Sequence, residues 1–273
     1  MSELGDFKHA YARLNKEQKK AVDAIDGPVM VIAGPGTGKT QILALRIANI
    51  LDKTDTKPDN ILALTFTDAG AHAMKERLRR YIGDTAYKVA VHTFHSFAGE
   101  LIRRYPDAYP TIIGGRAATD IERFSMLEDI VNDSDLRELR PSGDPLYYVK
   151  KIPGAISDLK KEYITPDELS KRIAELKANL EARPKFHEKG AHKGKVRSDY
   201  AREEKRLNRL RELALVYRQY QAVLKDRHLY DFEDMIVETV KALEANEDML
   251  RDLQETYQLS LIHISEPTRQ AEI

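Results

Sequence analysis

The residues best suited to chemistry lie early in the chain, in the stretch VMVIAGPGTGKT at positions 29–40. An apolar run enters a turn carrying glycines at 34, 36 and 38, and Lys39 and Thr40 follow directly. Glycines at this spacing let the backbone fold tightly enough to aim several N–H groups at one anion, and the positive end of the next helix adds to the field. A lysine at 39 can then reach the β and γ phosphates of a nucleotide, and the Thr40 hydroxyl can ligate magnesium. A strand, a glycine turn and a helix in that order are what a P-loop requires. Ala33, Gly34, Pro35, Gly36, Thr37, Gly38, Lys39 and Thr40 are therefore expected to hold ATP and Mg2+, with Lys39 and Thr40 nearest the reaction. The strict pattern begins with glycine; Ala33 adds only a methyl group.

Such a loop needs a sheet to present it. Residues 29–33, 61–67 and 88–94 are β-rich, and helical periodicity at 39–51 and 71–82 separates them. This alternation predicts parallel β-α-β units and an α/β fold with a P-loop parallel sheet as its core. After residue 105 the strand signal fades and long charged helical text runs to about 220, which predicts a large all-helical insertion subdomain. Thr165-Pro166-Asp167-Glu168 reads as a helix start, with a threonine cap, proline in the first turn and Glu168 reaching back. A second long helix is expected over 200–226. The basic, glycine-containing stretch 183–197 between them reads as a mobile loop.

Composition narrows the classes. The 273 residues carry 44 basic and 44 acidic side chains. A polyanion must therefore be held by a local patch or by backbone amides rather than by a global field. The absence of cysteine excludes disulfides and thiolate metal sites. No apolar run is long enough to span a bilayer and no basic-then-apolar leader opens the chain, so no membrane partner and a cytoplasmic location are expected.

Four further segments resemble, in order, the motifs of the UvrD/Rep/PcrA-like superfamily 1 DNA helicases. LNKEQKKAV at 14–22 is similar to the family's glutamine motif, and the resemblance makes Gln18 the reader of the adenine edge. ILALTFTDAGAHAMKERL at 61–78 resembles the second-strand motif and implies DNA contact by Thr65 and Phe66; Asp68 and Ala69 depart from the family's asparagine and lysine, and Asp68 is expected to cap a helix. VAVHTFHSF at 89–97 matches the third-strand motif at Thr93, Phe94, His95 and Ser96, implying DNA contact by Thr93 and His95, while Phe94 and Phe97 are expected to pack in the core. LYDFEDMI at 229–236 looks like the family's return segment, where Asp231 and Asp234 are expected to cap a helix and hold a buried network rather than a metal.

The resemblance implies a RecA-like nucleotide-binding core over 1–105, a helical subdomain over 106–220 and a return to the core over 221–258. It further implies ATP-driven, 3′ to 5′ tracking along single-stranded DNA, action at single-strand/duplex junctions, a place in DNA repair, and a C-terminal helicase domain in the same parent chain. Two alternatives stand beside it: the helicase part of a RecB/AddA-like helicase-nuclease, and a nucleotide-responsive DNA-binding module without motor activity. In the family the run after residue 258 becomes a fourth strand ending in an acidic pair. Here residues 259–273 read LSLIHISEPTRQAEI, which resembles the in-frame translation of a transposase adaptor used in sequencing libraries. The expectation is a non-native tail, truncation before the acidic motif, and a chain as written that does not turn over ATP.

Overall fold

The computed structural model describes residues 3–34, 36–141, 143–144, 146–187 and 193–263. The chain divides into two units, one of residues 1–105 with 242–273 and one of 106–241. Residues 221–241, read from sequence as the start of the return segment, lie in the second unit.

In the first unit, α1 (Glu3–Ala12) and α2 (Lys16–Asp23) precede α3 (Lys39–Lys53). β1 (Ile61–Thr65), α4 (Asp68–Ile82), β2 (Ala90–Thr93) and α5 (Phe94–Arg104) follow, and α11 (Glu247–Thr256) and β5 (Leu259–His263) complete it. β1 is buried at all five positions, as a strand covered on both faces must be. It pairs in parallel with β2 on one side and β5 on the other. Ala44, Ile47 and Ile50 of α3 and Met74 and Leu78 of α4 close over Ile61, Ala63, Val91 and Leu261. The i, i+3 and i+6 spacing on α3 is the stripe that a helix turns toward a sheet. Leu259 and Leu261 alternate with Ser260, so β5 carries the period-2 pattern that pairing on a half-buried sheet requires.

Residues 29–33 depart from expectation. They are not assigned as a strand, and Val29, Met30, Val31 and Ile32 stand exposed at 40, 84, 44 and 87%. A cavity of about 360 Å³ lies between residues 27–31, β5 and the buried side of α3. The β propensity of the run is real, but a strand exists only where a neighbour takes its backbone hydrogen bonds.

Among its described residues the second unit is mostly helical, with a two-residue parallel pair, β3 (Arg116–Ala117) with β4 (Leu229–Tyr230). Its helices are α6 (Asp120–Asp133), α7 (Ile152–Lys161), α8 (Pro166–Glu181), α9 (Ser198–Asp226) and the start of α10 (Phe232–Ala245). The long α9 changes partners along its length. Tyr200 and Leu207 pack with Leu180, Ala214 with Leu169 and Ile173, and Val216, Tyr217, Tyr220 and Leu224 join α6 and α7 around Met126, Leu127 and Ile156. Thr165 caps α8 through the Glu168 amide, but the Glu168 carboxylate pairs with Arg172 (2.6 Å) instead of reaching back. The stems of 183–197 are also more ordered than a mobile loop: Phe186 and Val196 form an antiparallel bridge, and the Arg197 amide donates to the Lys185 carbonyl (3.0 Å). Residues 188–192 lie outside the described residues.

Candidate nucleotide and DNA site

The glycine turn delivers α3 with its first amides unclaimed by any capping side chain, because the N-cap residue is Gly38. Gly36 and Gly38 adopt φ of 73° and 81°, the left-handed region that side chains disfavour. Space is not the constraint, since a Cβ at Gly36 would meet nothing within 4 Å. Conformation is. The Thr37 hydroxyl donates to the Gly34 carbonyl (2.7 Å) and tightens the turn. Lys39 folds back over it, its ammonium 2.9 Å from the Ala33 carbonyl oxygen and 3.4 Å from that of Gly34. Pro35 lies outside the described residues.

Gln18 is tied to the same turn. Its side-chain oxygen accepts from the Asn15 amide (2.9 Å), Asn15 accepts in return from the Gln18 amide (2.9 Å), and Gln18 Nε2 donates to the Thr37 carbonyl (3.2 Å). This capping box starts α2 and holds it against the turn. The Asn-x-x-Gln spacing signals the box in the sequence, but not the bond to Thr37.

The carboxyl ends of the three strands line up in register. Thr93, Thr65 and His263 are neighbours across β2, β1 and β5. Thr65 and Thr93 are buried, whereas Phe66, one residue past β1, is 67% exposed. Thr93 is the N-cap of α5 and exchanges hydrogen bonds with Ser96, its hydroxyl accepting from the Ser96 amide (3.1 Å) and the Ser96 hydroxyl accepting from the Thr93 amide (2.8 Å). His95 sits half-buried in the first turn of α5. Phe94 and Phe97 are half-buried rather than in the core, Phe97 lying edge-on to Tyr257 at 5.8 Å. The cap of α4 is Thr67, whose hydroxyl accepts from the Gly70 amide (3.0 Å); Asp68, expected to cap, is instead the first helical residue, where a carboxylate favours the helix dipole. Nothing in the sequence marks Gly70 as special. A Cβ there would stand 2.6 Å from the Thr65 hydroxyl, so glycine is what lets α4 start against the end of β1.

The donors fit a triphosphate: uncapped helix amides, left-handed glycines and an ammonium that now rests on carbonyls it can exchange for phosphate oxygens. For magnesium the fit is poorer. Thr40 supplies one hydroxyl, and no group of three or more His, Asp or Glu side chains is clustered for a metal among the described residues. At the end of β5, burial holds the His263 imidazole below its usual range, and the charges acting on it, Lys39 and Arg77, are cationic and push the same way. Magnesium ordinarily takes one or two carboxylates besides phosphate and water.

Asp231 and Asp234 form no such site either. They cap the start of α10 reciprocally, each accepting the other's amide at 3.0 Å, and both pair with the buried ammonium of Lys160.

The family model of the UvrD/REP helicase N-terminal domain matches residues 14–264, and the chain belongs to that family. It is 29% identical over 253 residues to the ATP-dependent DNA helicase PcrA of Staphylococcus aureus (strain COL) and, to the same degree, to that of Staphylococcus epidermidis (strain ATCC 12228). The match covers 93% of this chain but 29% of each relative, so the chain spans under a third of the length of the curated relatives it matches. No helix among the described residues is long and apolar enough to cross a membrane.

Proposed function

We propose that this chain is the ATP-binding portion of a 3′ to 5′ DNA helicase or translocase acting on single strands and their junctions with duplex, in the cytoplasm. The observation that carries the reading is the turn of 34–40 with Lys39 folded onto its carbonyls, set beside the aligned strand ends at Thr65 and Thr93. Nucleotides bind outside the carboxyl ends of parallel strands, and here phosphate donors and a candidate polynucleotide edge share one rim. In this reading Gly36, Gly38 and the α3 amides bind the phosphates, Lys39 neutralises the β and γ oxygens, and Gln18 fixes the adenine end while tethered to Thr37. Thr40 would offer magnesium one hydroxyl, too few protein ligands for this chain to hold the ion by itself. Phe66 offers the exposed ring, and Thr93 and His95 the polar groups, for single-stranded DNA.

The RecA-like core and helical insertion of the family correspond to the two units, and the second helicase domain belongs to the longer parent chain. The segment 259–273 is read as foreign, and His263 then stands where an acidic motif would complete the site. On that reading the 273-residue chain binds nucleotide without hydrolysing it.

Calorimetric titration with ATP, with and without a single-stranded oligonucleotide, tests the proposal. Heat with the unaltered chain and its loss in Lys39→Ala support it, whereas equal heats overturn it. DNA-stimulated ATPase from the 273-residue chain overturns the truncation. Sequencing the gene across codon 258 separates a helicase, a helicase-nuclease and a chain that stops there.

A further inference from the structure

The second unit carries an aromatic feature that no motif accounts for. Tyr147 is 51% exposed on the turn segment preceding α7, yet that segment is firmly held. Val149 and Ile152 are buried at 0 and 2%, the Val149 amide donates to the Leu146 carbonyl (3.0 Å), and the amides of Lys151 and Ile152 donate to the Tyr148 carbonyl (2.8 and 3.0 Å). The Tyr148 ring meets that of Tyr147 edge-on, with centroids 4.8 Å apart and planes at 88°. Arg209 lies 5.0 Å over Tyr148, and Lys151 Nζ lies 4.9 Å over Tyr147. Lys150 and Lys151 are both exposed, three and four residues after Tyr147 in the chain, while the nearby carboxylate of Asp144 accepts the Leu146 amide (3.2 Å).

Three properties decide what such a patch fits. The ring is large, exposed and pre-positioned, so stacking on it immobilises little that is not already fixed. The flanking charge is local and positive in a chain whose net charge is zero, which is how such a chain must hold a polyanion. The cations next to the ring are lysines, a residue depleted from protein–protein interfaces, so the patch is poorly composed for a protein partner. An aromatic face for a base with ammonium groups for its phosphates is the usual composition of a single-strand binding surface.

We propose that Tyr147 is a base-stacking residue for single-stranded DNA, with Lys150 and Lys151 contacting the adjoining phosphates. The inference rests on the DNA-binding reading above and adds a subsite in the helical unit. The test measures fluorescence anisotropy of a fluorescein-labelled oligothymidylate against the chain over a series of salt concentrations. Tyr147→Ala weakens binding about tenfold with the salt slope unchanged, and Tyr147→Phe retains affinity. Lys150→Ala and Lys151→Ala lower the slope by about 0.7 for each phosphate no longer neutralised. ATP affinity and the far-ultraviolet dichroism of all four variants match the unaltered chain. Binding by Tyr147→Ala within twofold of the unaltered chain, or an equal loss in Tyr147→Phe, overturns the subsite and leaves the DNA reading standing. No binding by the unaltered chain at any salt overturns both.

Discussion

The ammonium of Lys39 rests 2.9 Å from the carbonyl oxygen of Ala33, the residue that opens the glycine turn. A lysine parked on its own loop is neutralised in part by carbonyl dipoles, and an arriving triphosphate must offer more. Lys39→Ala removes both the resting bond and the phosphate contact. A charge-assisted hydrogen bond contributes about 1.5–3 kcal/mol, so ATP affinity should fall by roughly tenfold to a hundredfold. Lys39→Arg should recover little, because a planar fork does not replace a point charge in a turn this tight. Titration calorimetry of the two variants checks both statements.

The exposed run at 29–32 predicts a second measurement. Amides of residues 30–32 lack the ladder that residues 62–64 have with β2 and β5. Hydrogen exchange followed by mass spectrometry should show 30–32 exchanging near the rate of free peptide while 62–64 stay protected to the stability of the unit. Comparable protection in the two segments would show that 29–32 is paired in solution.

Particular residues show where sequence reading reaches and where it stops. Periodicity locates α3 because a helix with one buried stripe repeats its apolar residues at a fixed angle, and locates α9 through shorter runs of the same spacing that face different partners. The cap at Thr165 is legible for an equally local reason. What fails depends on a neighbour. The same β-branched residues that make 29–33 look like a strand cannot say whether an adjacent edge exists to receive it. Asp68 and Thr67 are both good caps in isolation, and only the start of the helix at 68 chooses between them. In the candidate site, Gly36, Gly38 and Lys39 are readable from spacing. The bond from Gln18 to Thr37, the approach of Gly70 to Thr65 and the row of Thr93, Thr65 and His263 are not, since each joins positions that only the fold brings together.

His92 gives the first unit a pH dependence. It lies 3.2 Å from Glu100, yet burial lowers its pKa from 6.5, outweighing the attraction of that carboxylate, and Lys75 and Arg103 push the same way. His263 is lowered too. A histidine with a depressed folded pKa contributes stability that is present above its unfolded pKa and lost as pH falls toward the folded value. The urea midpoint of the unit should therefore drop between pH 7.5 and pH 5.5. His92→Gln should flatten that slope in part, and a slope identical to that of the unaltered chain removes His92 as its source.

Lys160 joins α7 to the start of α10 with its side chain only 1% exposed, between Asp231 at 0% and Asp234 at 15%. Burial drives the Asp231 carboxyl upward more strongly than Lys160 draws it down, so the cluster leans on Lys160, with the Arg123 guanidinium as a further cation acting on Asp231. Lys160→Met leaves two largely buried carboxylates without the ammonium that pairs with both. Losing one partner of a buried pair costs about 3–5 kcal/mol, whereas replacing the whole set is far milder. Urea denaturation should find Lys160→Met strongly destabilised, and the triple variant Lys160→Met, Asp231→Asn, Asp234→Asn closer to the unaltered chain.

Glu212, buried on α9, organises the turn that follows α6. Its Oε1 accepts from the amides of Arg137 (2.9 Å) and Glu138 (3.1 Å), and its Oε2 from those of Glu138 (2.9 Å) and Leu139 (2.8 Å). Three successive backbone donors thus depend on one carboxylate, and Leu139 is itself in the core. Glu212→Ala leaves all three without an acceptor. With each orphaned donor costing about 1–3 kcal/mol, the second unit should lose roughly 3 kcal/mol or more. Glu212→Gln keeps one acceptor oxygen but turns an amide nitrogen toward the remaining N–H groups, so a smaller yet clear loss is expected. Equal losses in the two variants would mean that the double set of lone pairs, and not the shape that glutamine shares with glutamate, holds the turn. A glutamine variant as stable as the unaltered chain would remove Glu212 as the organiser of residues 137–139.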